Sequence, residues 1–258
     1  MRPECLPGLM IMAMNTRRSL ACWLLLFIWI KPVSAQNYEK LQLEIACSQW
    51  RPFAFKENSI ISGPVYEIGK AVLEHAGLSY TYKIKPWTRV YNNGLSRENY
   101  LIGCLGRTPA REEMFKWIGP VTKGISVFFY KLKSNPMKID SLEQAKSYDI
   151  VMQRDSYNHD FLRLNQFNDA KLFPVNKNDQ IIQMLLAKRY PLILMTEEQL
   201  LDISEKKKID LSLFEKALFA FEVKDYIAFN ISTSPDLVKK VRSSYVKLRD
   251  EGKIILPQ

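Results

Sequence analysis

Histidine is nearly absent from this 258-residue chain: His75 and His159 are the only two, and each stands alone. With four cysteines they form no cluster of metal-ligand spacing, so neither a zinc site nor a histidine-assisted thiol nucleophile has support. Glycine is scarce as well, at ten residues, and no G-x-S-x-G, Walker or dinucleotide-binding glycine pattern occurs. No cofactor and no metal are therefore expected, and an enzyme is not the reading the motifs favour. Long apolar runs are also missing. The longest, Leu20 to Ile30, has eleven residues, where a membrane-spanning helix needs about twenty. Basic residues outnumber acidic ones, 37 to 27, for a net charge of +10, yet the charge is dispersed. Its one dense run, Lys206-Lys207-Lys208, lies between Glu205 and Asp210 and reads as a solvated helix end, so nucleic acid is not an expected partner.

What is present begins with an export pattern. Arg17 and Arg18 precede the apolar run, and Val33-Ser34-Ala35 offers small residues for cleavage before Gln36, with Met12 or Met14 as alternative starts. Residues 1–35 are read as a signal peptide cleaved after Ala35, which places the mature chain in the periplasm. Its removal takes four basic and one acidic residue and leaves a charge of +7 on 223 residues. That length supports one large domain or two modest ones, each with a real core.

The mature chain is organised around Tyr100 to Pro120, YLIGCLGRTPAREEMFKWIGP. Tyr100–Leu105 is a buried strand by length and composition, and Gly106 marks a close backbone approach at its end. Thr108 and Pro109 then start a helical turn that brings Arg111 back towards the strand end. A planar guanidinium at that place suits a small carboxylate, and it is equally placed to pair with Glu112 or Glu113. Before this stretch, Leu41–Cys47, a helix opened by Gly63-Pro64, Tyr80–Ile84 and a short helix from Pro86 to about Gly94 alternate strand and helix. Such alternation builds a parallel sheet whose ligands gather beyond the carboxyl ends of the strands, where Trp50, Trp87 and Arg111 would meet. Trp87 reads equally well as core.

From Ile125 the alternation restarts. Strands are expected at Asp149–Met152, Lys171–Val175 and Pro191–Met195, with helices opened near Ser141, Asp155 or Ser156, and Asn178. Asp155 and Ser156 can present free helix N–H groups to a ligand or simply cap the helix. A last strand, Tyr226–Ile231, and a final helix from Ser234-Pro235 to Gly252 return to the first unit. The fold class is α/β with two lobes: residues 36–129 and 224–258 form one, 130–223 the other, and the ligand cleft lies between them. Cys47 and Cys104 close neighbouring strands, and an oxidising compartment permits a disulfide between them, two buried thiols being the alternative.

Taken in order, several short motifs resemble the bacterial extracellular solute-binding proteins of the polar amino-acid ABC-transporter family. They are Trp50-Arg51-Pro52-Phe53, Gly63 with Glu67, Pro86-Trp87-x-Arg89, Thr108-x-x-Arg111, Gly119-Pro120 and the ending Leu248-Arg249-Asp250-Glu251-Gly252-Lys253-Ile254. The resemblance implies a two-lobed periplasmic binding protein, a monomer and not an enzyme, that captures a small carboxylate-bearing polar or anionic solute by hinge closure. It implies that Arg111 binds the ligand carboxylate beside Thr108, Arg107 and the Gly106 backbone, that Trp50 and Trp87 wall the site, and that Asp155, Ser156 and Thr196 face it from the second lobe. Two departures stand out: Thr196 occupies the place of the family's ammonium-binding aspartate, and Arg154 that of a glycine. Arg107, Arg111 and Arg154 together would favour an anionic solute. Partners implied are an ABC-transporter permease or, for a sensor on the same fold, a membrane receptor. A dehydratase-like enzyme, with Asp155 or Glu197 as acid or base, is the third reading.

Overall fold

The computed structural model describes residues 42–257, and the expected signal peptide lies outside the described residues. The first sheet has the order β4-β1-β5-β12-β6. Its strands are β1 (Leu43–Cys47), β4 (Tyr80–Ile84), β5 (Tyr100–Gly106), β6 (Phe115–Pro120) and β12 (Asp225–Asn230). β1 runs parallel to both β4 and β5, whereas β12 runs antiparallel to β5 and β6. Every residue of β5 is buried, as a continuous apolar run between two neighbouring strands requires.

Helices α1 (Pro64–His75), α2 (Trp87–Ser96) and α7 (Pro235–Asp250) cover this sheet. Gly63 at φ +114° turns the chain into α1, and Pro64 fills the first helical position. α7 buries Leu237, Val241, Tyr245 and Leu248 on one face. Each such side chain contributes roughly 1.5–3 kcal/mol by leaving water. The segment read as a helix after Thr108 is a 3-10 turn, Pro109–Met114.

The second sheet has the order β11-β7-β10-β8-β9. It contains β7 (Ile125–Leu132), β8 (Ile150–Gln153), β9 (Leu172–Val175), β10 (Leu192–Thr196) and β11 (Phe214–Val223). Its helices are α3 (Leu142–Ala145), α4 (Tyr157–Leu164), α5 (Asn178–Leu186) and α6 (Glu197–Lys207). A small hairpin, β2 (Phe55–Glu57) with β3 (Ile60–Ser62), hangs from the first lobe.

The chain changes sheet twice, between Pro120 and Ile125 and again at Lys224. The boundary read from sequence after residue 129 falls inside β7, all of whose pairing is to second-sheet strands. The crossings touch: Val121 N donates to the Asp225 carbonyl at 2.7 Å, and Asp225 N donates to Thr122 Oγ1 at 2.9 Å. A disulfide joins Cys47 of β1 to Cys104 of β5, with Cα atoms 5.5 Å apart.

Candidate functional site

The carboxyl ends of β1 and β5 face the start of α4 across the gap between the sheets, and the contacts there are direct. Arg111 is fully buried. Its Nε lies 2.7 Å from Asp160 Oδ2 on α4, Nη1 donates to the Gly106 carbonyl at 3.2 Å, and Nη2 donates to the Asp155 carbonyl at 2.9 Å. Its guanidinium also sits over the Tyr91 ring at 4.9 Å. Nη1 and Nη2 are thus hydrogen-bonded, one within the first lobe and one to the second, whereas Nε lies within ion-pair distance of Asp160 without a hydrogen bond directed at it. Thr108 Oγ1 adds a 3.4 Å hydrogen bond to the same Asp160 oxygen.

Asp155 contributes its backbone. At φ +54° it occupies the left-handed region that aspartate tolerates better than most residues. Its carbonyl thereby accepts from Arg111 and also from Trp87 Nε1 at 2.8 Å. Trp87 opens α2 and stacks on Tyr91, with centroids 5.7 Å apart.

Beside this contact lies a cavity of about 40 Å³, room for roughly three waters. Trp50 and Trp87 wall it, Cys104 lies at its floor, and Gln153, Ser156, Asn158, Asn178, Gln199 and Asp225 supply polar groups. Trp50 is fixed by paired backbone bonds with Ala54, each 2.8 Å, and by its ring against Phe53. Three buried polar atoms from these residues have no hydrogen-bond partner among the described residues: Trp50 Nε1, Asn158 Oδ1 and Asp225 Oδ2. Buried polar groups are normally satisfied, so such a cluster points to a binding surface. Burial pushes the Asp225 carboxyl up to about 7, against a smaller opposing pull from Arg111.

No family model and no curated protein sequence matches the chain. Solved structures do. A histidine kinase sensor domain described as similar to periplasmic binding proteins superposes with a TM-score of 0.72 at 13% identity, covering 84% of this chain and 93% of its own. ArtJ, the arginine-, lysine-, histidine-binding protein of Geobacillus stearothermophilus, gives 0.67 at 14% identity over 83% of this chain and 91% of its own. AbpA, an amino-acid ABC-transporter substrate-binding protein of Streptococcus pneumoniae bound to L-arginine, gives 0.64 at 17% identity over the same shares. The fold is that of the periplasmic binding proteins.

In a periplasmic binding protein fold the cavity is the cleft between lobes, and the residues singled out from sequence divide around it. Trp50, Trp87 and Ser156 line it. Ser156 Oγ donates to the Gln153 carbonyl at 2.8 Å. Arg111, Thr108, Gly106 and Asp155 form the adjacent contact between lobes. Arg107 pairs with Glu112 and lies over the Trp117 and Tyr226 rings, and Arg154 Nη2 donates to the Pro174 carbonyl at 3.1 Å. The three arginines therefore do not converge on one anion. Thr196 is buried and caps α6 in a reciprocal pair with Gln199, each bond 3.2 Å. Glu197 pairs with Lys216 at 2.7 Å.

Gln153, Asn158, Gln199 and Asp225 are among the lining residues that sequence reasoning did not assign to the site. Asp225 had a signal, because it is the one charge opening the otherwise apolar run from Tyr226 to Phe229. The amides had none: Asn158 and Gln199 lie in the first turns of α4 and α6, where a polar residue ordinarily faces water, and Gln153 ends the short strand β8. Among the described residues no group of three or more His, Cys, Asp or Glu is placed to hold a metal, and no helix is long and apolar enough to cross a membrane.

Proposed function

We propose that the chain is an exported, monomeric solute-binding protein of the polar amino-acid type. It captures a small polar solute by hinge closure in the periplasm and delivers it to an ABC-transporter permease, without catalysing a reaction. The observation that carries this reading is that one cavity is lined from both lobes and the crossing, by Trp50, Asn158 and Asp225 among others, each of which holds a buried side-chain polar atom with no partner among the described residues. Solvent-binding alone does not require groups from both lobes. A closing cleft does. Arg111 remains the family-like candidate for a ligand carboxylate, but its guanidinium already holds Asp160, so a ligand carboxylate reaches it only by displacing that side chain.

A second reading, an orphan binder that signals to a membrane receptor, is favoured by one specific observation, the likeness of the whole fold to a histidine kinase sensor domain. Adjacent permease genes or adjacent receptor genes separate the two. The binding reading itself is tested by denaturing the purified mature protein and analysing the released small molecules by mass spectrometry. Release of one polar solute at close to one per chain, which on re-addition raises Tm, is the expected result. No released solute, together with no Tm rise across a panel of amino acids, amines and organic acids, would remove it.

A further inference from the structure

Asp225 is the first residue of β12, directly after the return crossing, and its Cα is paired with that of Gly106. It is 2% exposed. The backbone around it is satisfied: its carbonyl accepts from Val121 N and its N–H donates to Thr122 Oγ1. The carboxylate is different. Oδ2 has no partner among the described residues, and the side chain lines the cavity between the lobes.

The nearest cation does not serve it. Arg111 is ion-paired with Asp160, Nε lying 2.7 Å from Oδ2, and its Nη1 and Nη2 donate to the Gly106 and Asp155 carbonyls. One buried positive charge is thus matched by the Asp160 carboxylate, and a second carboxylate is left over in the same low-dielectric region. A buried charge without a counter-charge is costly, so the site must take up either a proton or a cation. The walls also suit a cation. Two aromatic side chains, Trp50 and Trp87, line the cavity, the Arg111 guanidinium already lying 5.8 Å from the Trp87 ring centroid, and an aromatic ring attracts a positive head group more strongly once water is excluded. The remaining lining, including Gln153, Asn158, Asn178 and Gln199, is neutral and amide-rich, fitted to hydrogen-bond the rest of a polar solute.

We infer that Asp225 is the charge-recognition group of the cleft, and that the solute carries an ammonium or guanidinium head bound between Asp225 and the two tryptophans. This rests on the solute-binding reading above and names the chemical class for the same site. The enclosed space, about 40 Å³, takes a head group of that size with a water or two. The remainder of the solute has a path outward, because Gln49, Trp50, Asn178 and Gln199 also border a wider groove reaching Arg51 and Asp202. Because Asp225 belongs to the hinge, a cation there draws on the same segment about which the lobes move.

The raised Asp225 carboxyl gives the binding a sign with pH. The groups whose charge it senses or affects are Arg111, already paired with Asp160, and the Tyr157 hydroxyl, which burial and Asp225 hold in its neutral form. A cation prefers ionised Asp225, so its affinity rises from pH 6 to pH 8.

The test is titration calorimetry of the purified mature chain with agmatine and putrescine, cations lacking a carboxylate, and with succinate, an anion lacking an amine. The inference requires that at least one cation binds, more tightly at pH 8 than at pH 6, and that Asp225→Asn weakens it tenfold or more at pH 8. The pH trend in the wild-type protein decides the matter even if the variant does not fold. Binding of succinate without either amine, cation affinity within threefold of wild type in folded Asp225→Asn, or no cation binding would overturn it. In the first two cases the solute-binding reading survives. In the third, solute release from the same preparation decides that reading separately.

Discussion

Asp225 holds its carboxyl in the hinge by shape and not by charge pairing, and this has a consequence for folding as well as for binding. Burial raises the group from an ordinary 3.8 to about 7, with Arg111 offsetting part of the rise. In the unfolded chain the group ionises near its ordinary value, while in the folded chain it keeps its proton until about pH 7. The unfolded state therefore binds fewer protons across that window, and stability falls as pH rises from about 4 to 7, then levels off. Three pKa units correspond to about 4 kcal/mol as an upper bound. Asp225→Asn has nothing to ionise. Urea unfolding should find that the variant's stability relative to wild type grows by about 2–3 kcal/mol between pH 5 and pH 8. Parallel behaviour at the two pH values would show that Asp225 titrates in the ordinary range. The sequence reading at this scale found Arg111 because its motif is local. It missed Asp225 because the burial that matters comes from Thr122 and β5, remote in sequence and brought together only by the second crossing.

At the scale of elements, the end of β5 packs directly against the second lobe at Tyr157 and Val223. A Cβ added at Gly106 would lie 2.6 Å from Tyr157 Cδ1 and 3.1 Å from Val223 Cγ2. The near part of the Tyr157 ring cannot swing aside as a flexible chain end would, because Tyr157 opens α4 and its ring meets Phe221 edge-on. Gly106→Ala should thus cost about 1–3 kcal/mol as overpacking, measured by urea unfolding. The same substitution in a Tyr157→Ala background should cost markedly less, and an equal cost in both backgrounds would place the strain elsewhere. β5 and β10 were legible because central strands are continuous apolar runs with no rival reading. β11 was not. Its pairing with β7 shifts register between Lys216 and Leu218 and again between Phe219 and Phe221. Each bulge shifts the inside–outside alternation by one, so FEKALFAFEV shows no period of two. The β7 boundary failed for a related reason: the change of sheet lies in Val121–Gly124, whereas the apolar run that signals a strand begins only after it.

For the molecule as a whole, the lobes are tied together by contacts from α4 and its preceding turn to the first lobe: Arg111 with Asp160 and the Asp155 carbonyl, Trp87 with that carbonyl, and Thr108 with Asp160. Arg111 and Asp160 form the ion pair among these contacts. Two crossings, hydrogen-bonded to each other through Val121, Thr122 and Asp225, leave rotation of one lobe on the other as the easy motion. Removing one partner of a buried ion pair costs about 3–5 kcal/mol because the other charge stays buried. Asp160 is 20% exposed, so the lower end applies. In Asp160→Ala the buried guanidinium regains water when the lobes part, so the penalty falls on the closed form alone. About 3 kcal/mol is roughly a hundredfold in the ratio of closed to open forms. A protein about nine-tenths closed would then be less than a tenth closed. Solution scattering on the mature protein should accordingly give a larger radius of gyration for Asp160→Ala than for wild type. Glu112→Ala, which breaks only the surface pair with Arg107, should leave the radius unchanged. An unchanged radius in Asp160→Ala would mean that closure rests on the Tyr157–Gly106 packing, with the ion pair formed only as a consequence.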